Sequence, residues 1–209
     1  MKKMILLLTL FCLGLTSMAQ EGLIRKGIDY SIKPEFGLDV GVPYFYGDNL
    51  LSNDYLLNPT IRLNFQAGIT DRLGFGLFIS RNGGQVGETE ILGDFFDRVN
   101  WQSQGGWLFY AIPLSDKFVI EPGLGVAVKT MTHFDGENKF RLNYHSFFQR
   151  TRFKYQLHQL ENRNALHLIL SGDLNMVRGP RIRINEDDRR YVQQGLYSNF
   201  CLGLAFSFF

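Results

Sequence analysis

Few side chains in this sequence could do chemistry, and the histidines are the natural place to begin. His133 precedes Asp135 by two residues, His145 is followed by Ser146, and His167 shares a stretch with Ser171 and Asp173; the fourth is His158. A histidine beside a hydroxyl and an acid can activate a nucleophile, and lipid hydrolysis at a membrane can run on such a set. Spacing argues against each grouping. Neighbouring residues on a strand point to opposite faces, so His145 and Ser146 would diverge. His133 and Asp135 lie in a polar stretch that reads as a loop, with no third group to orient them. His167, Ser171 and Asp173 would share one strand face, but about 3.3 Å per residue puts His167 and Asp173 roughly 20 Å apart. No His-x-x-x-His or paired cysteine spacing offers a metal site. Asn82-Gly83-Gly84 and Gly123-x-Gly125 lack the Lys-Ser/Thr and helix of a phosphate loop. The sequence therefore assigns no catalytic, cofactor-binding or metal-binding residue.

The charged residues are better placed. Glu35, Asp39, Arg62, Glu121, Arg150, Arg152, Lys154 and Asp173 each fall within a stretch of alternating hydrophobicity, on the row opposite the large apolar side chains. Pro34, Phe36, Leu38, Val40 and Val42 alternate with Glu35, Gly37, Asp39 and Gly41. Ile61 to Ile69, Leu73 to Ile79 and Phe118 to Val128 repeat the pattern. So does Gly195 to Phe209, in which Phe200, Leu202, Leu204, Phe206 and Phe208 form one apolar row. Period-2 alternation makes strands with one apolar and one small or polar face. Trp101–Leu114 is strand-like without a clear outward row, and strands near 147–159 and 165–176 complete a count of eight. In the sixth, Phe147, Thr151, Phe153, Tyr155 and Leu157 read as the outer row, with Arg150, Arg152, Lys154 and His158 opposite. Recruiting Asn138–Tyr144 as a further hairpin would give ten.

Links near residues 71 and 116 are short, whereas those at 43–60, 82–100, 131–146 and 177–194 are long. Short and long links alternate in outer-membrane barrels, where periplasmic turns are short and extracellular loops long. An all-β, up-and-down antiparallel transmembrane barrel, most simply of eight strands, is the expected fold. On strand direction and depth, Asp39 should meet Arg62, Glu121 should meet Lys154, and Asp173 should meet Arg150 or Arg152. Gly74, Gly76, Gly123 and Gly125 should relieve crowding in a narrow lumen. Trp101, Trp107 and Tyr197 are candidates for the interfacial aromatic girdles. A soluble lipocalin-like barrel is the rival fold, with the apolar rows turned inward.

The first 19 residues fit a secretory signal peptide, with Lys2 and Lys3, an apolar stretch from Met4 to Leu15, and Ser17-Met18-Ala19 as the cleavage site. Residues 20–209 are then the barrel domain. Cleavage there removes Cys12 and leaves Cys201 without an intrachain partner. The whole chain has 22 Lys and Arg against 20 Asp and Glu, so no basic excess argues for nucleic acid. Its 19 Phe, 9 Tyr and 22 Gly suit many strands with tight corners.

Phe109-Tyr110-Ala111-Ile112-Pro113-Leu114, Glu121 to Gly125 and the aromatic C-terminal strand resemble the small outer-membrane β-barrel domain family that includes PorT-like proteins of Gram-negative bacteria. Ala111 stands where that family usually has Glu. The resemblance implies an eight-stranded barrel in the outer membrane and a C-terminal strand that signals assembly. It also implies a link to protein secretion, through envelope or secretion-system partners, but no one activity. The expected function is a non-enzymatic outer-membrane barrel with a side-chain-filled lumen and long extracellular loops. Outer-membrane lipid and lipopolysaccharide are its expected surroundings. The charged run Arg178–Arg190 is either a solvated loop or a site for lipopolysaccharide or a protein partner. The alternative is a small outer-membrane enzyme acting on lipid A or phospholipid. A porin fits less well, since eight strands enclose only enough room for side chains.

Overall fold

The computed structural model describes residues 30–87, 96–136, 138–160, 164–179 and 186–208, with the backbone alone for 186–188. The expected signal peptide and Phe209 lie outside the described residues. Eight long strands make up the described molecule: β1 (Glu35–Tyr46), β2 (Thr60–Gly68), β3 (Leu73–Val86), β4 (Arg98–Tyr110), β5 (Phe118–Asp135), β6 (Asn138–Gln159), β7 (Ala165–Arg178) and β8 (Gln194–Ser207). Each pairs antiparallel with its sequence neighbour, and β1 pairs with β8, from Glu35↔Ser207 to Tyr46↔Leu196. The sheet is closed, and none of these eight strands keeps a free edge.

Register fixes the shape. Cross-strand partners lead from Leu38 through Leu63, Ile79, Gln104, Val128, His145 and Arg178 to Gln194. Because Tyr46 faces Leu196, Gln194 returns the path to β1 at the level of residue 48, so the circuit climbs from 38 to 48. A shear of ten over eight strands tilts them by roughly 40°, and each residue then gains about 2.5 Å of height.

The apolar rows face outward. Phe36, Leu38, Val40 and Val42 on β1 and Phe200, Leu202, Leu204 and Phe206 on β8 are exposed, Val42 at 61%. On β5 the apolar outward row runs from Phe118 to Val128, a height of roughly 25 Å, the thickness of the apolar band in outer-membrane barrels. In water such a wall would be an aggregation surface. The lipocalin-like arrangement, with apolar rows inward, is excluded.

One end carries short connections. Residues 69–72 make a tight turn in which the Leu73 backbone N–H donates to Thr70 Oγ1 at 3.0 Å; few residues also separate β4 from β5 and β6 from β7. The opposite end carries the long ones, and three of them depart from the sequence expectation: within 82–100, strand pairing continues from Asn82↔Trp101 to Gln85↔Arg98. The stretch 131–146 is not a loop: β5 and β6 run on as a hairpin to Asp135↔Asn138, turning at Gly136 with φ 50. Asn138–Tyr144 thereby lengthens the sixth strand instead of adding two more. The first long link contains helix α1 (Leu50–Asn53) and a strand segment, Tyr55–Leu57, that pairs with Gly84–Val86. Asn49 caps α1 by accepting from the backbone N–H groups of Leu51 and Ser52 at 3.0 and 3.2 Å. Helix α2 (Glu186–Gln193) precedes β8.

Below the long-loop end the lumen is divided side by side. Ile32, Phe78, Trp107, Phe109, Ala111, Val119, Ala127 and Phe148 pack together, with Tyr30 against them. Charged side chains fill the space beside this cluster. At the long-loop end, Leu50 and Leu51 of α1, Val192 of α2, Trp101, Met131 and Tyr144 belong to an apolar lid.

Candidate functional site: the charged lumen

Alternation along each strand aims the polar rows into the barrel, where a neutral interior must be assembled from paired charges. All eight charged residues singled out in the sequence are buried, each 6% exposed or less. They form two groups. In the lower one, Arg152 donates from Nη2 to Glu35 Oε1 at 2.8 Å and from Nη1 to Glu121 Oε2 at 3.0 Å. Lys154 Nζ reaches Glu121 Oε1 at 2.8 Å and Glu35 Oε2 at 3.4 Å. Gln66 Nε2 donates to Glu121 Oε2 at 3.2 Å.

In the upper group, Arg62 donates from Nε and Nη2 to Asp39 Oδ2 at 3.1 and 2.9 Å. Its Nη1 contacts Asp173 Oδ2, and Nη2 also donates to Ser171 Oγ at 2.9 Å. Arg150 grips Asp173 with two bonds, Nε to Oδ1 at 2.7 Å and Nη2 to Oδ2 at 2.9 Å. Asn64 Nδ2 donates to Asp39 Oδ2 at 2.8 Å. The rings of Trp107, Phe78 and Phe148 surround the Arg150 guanidinium at 4.4, 4.9 and 5.0 Å. Such contacts stabilise a desolvated cation by about 2 kcal/mol. Four cations thus face four anions.

The three expected pairings, Asp39 with Arg62, Glu121 with Lys154 and Asp173 with Arg150, all form. Above them is a further cation, outside the set that the sequence pattern singles out. Lys129 is buried, its ammonium contacts the Tyr197 hydroxyl, and it lies 5.8 Å from the Trp101 ring and 5.0 Å from the Tyr197 ring. Its position on the row of Glu121 is the available signal. A space of about 20 Å³ lies among Arg62, Lys129, Asp173 and Asn199, room for about one water. A wider cleft of 270 Å³ opens at the short-turn end, lined by Tyr30, Lys33, Lys117, Lys154, His167 and Ser207 among others.

Several placements differ from expectation. Trp101, Trp107 and Tyr197 do not form a girdle. All three point inward: β4 turns its odd-numbered row, with Trp101 and Trp107, to the lumen, Trp107 lies opposite Gly76 and Gly125, and Tyr197 of β8 packs against Trp101 and Phe45. Tyr44, Tyr46, Tyr110 and Tyr155 are exposed tyrosines of the outer wall. His133 is on β5, not in a loop, and it is buried under the lid, with Nε2 2.7 Å from the Tyr55 hydroxyl and Nδ1 3.3 Å from the Phe140 carbonyl. Burial lowers its pKa, favouring the neutral ring. His145 is also on a strand and faces outward while Ser146 faces inward, as adjacency requires. His158 is exposed, not inward, because a bulge between Gln156 and His158 shifts the register.

His167 makes a contact that the sequence does not reveal. Its Nε2 lies 3.1 Å from Ser207 Oγ, on the residue that β7–β8 pairing sets opposite Ala165. The geometry is poor for activating a nucleophile. Ser207 Oγ also donates to the Ala165 carbonyl at 3.4 Å, and His167 Nδ1 has no hydrogen-bond partner among the described residues where an orienting acid would sit. At the other end, Tyr191 of α2 donates to Asp54 Oδ1 at 2.9 Å and ties the helix to the first long link. Burial and that bond push the Tyr191 hydroxyl up to about 12.

No family model matches the chain, and no curated protein matches it. Solved structures do. Neisserial surface protein A is similar over 84% of this chain and 97% of its own, at 12% identity and a TM-score of 0.58. Ail of Yersinia pestis, in complex with the heparin analogue sucrose octasulfate, is similar over 85% and 99%, at 8% identity and 0.51. A major outer membrane protein of Thermus thermophilus is similar over 84% and 99%, at 16% identity and 0.50. Identities this low speak to fold. Together with the outward apolar belt and the closed register, they make this chain a small, eight-stranded β-barrel of the outer membrane.

Proposed function

We propose that this barrel is a non-catalytic, non-conducting outer-membrane protein whose long-loop end engages other envelope proteins. The observation that carries this reading is the lumen: four cations bonded to four anions, with apolar and aromatic side chains packed beside them and an apolar lid above. A continuous water path would have to break the ion network and the lid together. Planar-bilayer recordings of the purified protein should show no steady ohmic conductance; a wide-pore current would overturn the reading.

The protruding hairpin supports a contact role. Above Val128, β5 and β6 carry Phe134, Lys139, Phe140 and Arg141 on a hydrogen-bonded ribbon rather than a mobile loop. Phe96 and Phe140 stack there with centroids 6.0 Å apart. A rigid aromatic tip loses little conformational entropy on binding. A place in a PorT-like secretion assembly is the finer form of this proposal, motivated by the sequence resemblance. Mild crosslinking of intact envelopes followed by purification tests it: a stable envelope partner lost on trimming residues 133–140 is expected, and recovery of the barrel alone counts against it.

The lipid-enzyme alternative has one motivating contact, His167 with Ser207 in the cleft at the short-turn end. A fluorophosphonate probe should leave folded protein unlabelled. Labelling that disappears in Ser207→Ala would restore the enzyme reading.

A further inference from the structure

The outer wall is not uniform round its circumference. On β1 the exposed row stays apolar or aromatic through Val42 and Tyr44 to Tyr46. On β4, outward from the same barrel, only Tyr110 and Leu108 are large and apolar; Gly106, Gln104, Gln102, Asn100 and Arg98 follow. The closed register puts Gln104 at about the height of Val42, inside the apolar belt. It lies directly between Ile79 on β3 and Val128 on β5. A glutamine facing hydrocarbon is costly unless its amide is hydrogen-bonded.

Two grooves in the wall meet at this residue. One, of 700 Å³, runs over Ile61, Leu63, Ile79 and Val128 beneath Arg81 and Gln102. The other, of 580 Å³, runs over Gly106, Val126, Phe147 and Met176 beneath His145 and Arg178. Both have apolar floors and a polar upper rim. His145 and Arg178 are direct cross-strand partners, which puts their side chains about 5 Å apart at Cβ. Arg81 is held from the side by Asn100, whose Oδ1 accepts from Nε at 3.0 Å. Among the described residues of β3 to β7, the outward rows at and above the belt's upper edge carry Arg81, Arg98, Lys139, Arg141 and Arg178 and no Asp or Glu; Asp97, just before β4, and Asp135, at the end of β5, stand farther out on the other row. The near-neutral composition of the chain makes this one-signed outward row a matter of placement.

We propose that the β3–β7 wall is a binding site for a phosphorylated, multiply acylated lipid of the outer leaflet, of the lipid A class. Its phosphates sit at the rim, one between His145 and Arg178 and one at Arg81, and acyl chains lie in the two grooves. Gln104 donates to an acyl-linkage carbonyl between them, which satisfies the polar group within the belt. Guanidinium is the side chain best shaped for phosphate, and each basic residue near an anionic surface adds about 1 kcal/mol. This inference rests on the outer-membrane reading and not on the absence of conduction or on any protein partner.

Native mass spectrometry of the full chain in mild detergent, titrated with bisphosphorylated lipid A, tests it. Lipid A should bind in discrete one-to-one steps, and the Arg81→Gln/Arg178→Gln double variant should bind roughly 10–30-fold more weakly. Lys117→Gln, at the opposite end, should bind like the parent. Heat-modifiable mobility on gels confirms that each variant is folded. Dephosphorylated lipid A gives a second arm on the unaltered protein and should bind about as weakly as phosphatidylcholine. Equal binding of the phosphorylated and dephosphorylated lipids, or full binding by a folded double variant, would overturn the site while leaving the non-conducting barrel intact.

Discussion

Asp173→Ala is expected to cause the largest loss of stability of any single lumen substitution. Asp173 receives two bonds from Arg150 and one from Arg62. Among the described residues, its removal strips Arg150 of its carboxylate partner and leaves Arg62 with Asp39 as its one carboxylate. Both guanidiniums are essentially dry, at 1% and 2% exposure. Breaking a buried pair by removing one partner costs about 3–5 kcal/mol, chiefly because the other charge stays buried without compensation. The rings round Arg150 soften this but cannot accept its hydrogen bonds. Asp71→Ala, in the exposed turn after β2, should change stability by no more than about 0.5 kcal/mol. Urea titration in liposomes, followed by the folded-to-unfolded gel shift, should separate the two clearly. Equal midpoints would mean that the two arginines are not held by Asp173 as described.

The second large effect is steric. Gly76 faces Trp107 across the β3–β4 pair, and a Cβ placed on it would lie 2.2 Å from the indole. Gly74 stands in the same relation to Phe109, at 2.4 Å. Gly125 does so with Phe148, also at 2.4 Å. Each ring lies over a cross-strand glycine, and that lets three large aromatics fit a lumen of eight strands. Gly76→Val must displace Trp107, one of the rings against Arg150. Overpacking costs about 1–3 kcal/mol, and loss of the ring contact adds up to about 2 kcal/mol. The variant should fold poorly into liposomes, whereas Gly172→Ala, whose nearest groups lie 3.8 Å away, should fold normally. Normal folding of Gly76→Val would show that Trp107 is not fixed against this glycine.

The sequence carries the fold most clearly where strands cross the membrane. There the outward row is apolar and the inward row is not, so Phe36 to Val42 or Phe200 to Phe206 announce both strand and face. The ion pairs follow, because face and strand direction together fix depth. Beyond the belt the signal disappears, since the outward row becomes polar as well. Asn82–Val86, Met131–Asp135 and Asn138–Tyr144 are strands with polar residues on both faces, and they read as loops. Trp101, Trp107 and Tyr197 escape the girdle expectation for a related reason: aromatics suit the interface, but Gly76 and Gly125 make room for Trp107 inside, and Trp101 and Tyr197 pack on each other under the lid. Glu35 reads as inward without a partner, because Arg152 and Lys154 reach it across the lumen rather than along neighbouring strands. The His167–Ser207 contact joins residues 40 positions apart and needs the exact register of the last two strands.

The seam between β1 and β8 has a kinetic meaning. Glu35, among the first residues of the sheet, pairs with Ser207, among its last. Until β8 docks, β1 and β7 each present an open row of backbone donors and acceptors, in a setting where hydrocarbon cannot satisfy them. The Arg62–Asp39 and Arg62–Asp173 contacts likewise bring together β1, β2 and β7, and so straddle the gap that β8 fills. Closure is therefore the step with the highest loop entropy and the greatest reward, and half-built barrels have no resting state. A chain of this design should insert in one concerted event, with its final strand setting the pace and its open edges within reach of other chains only briefly.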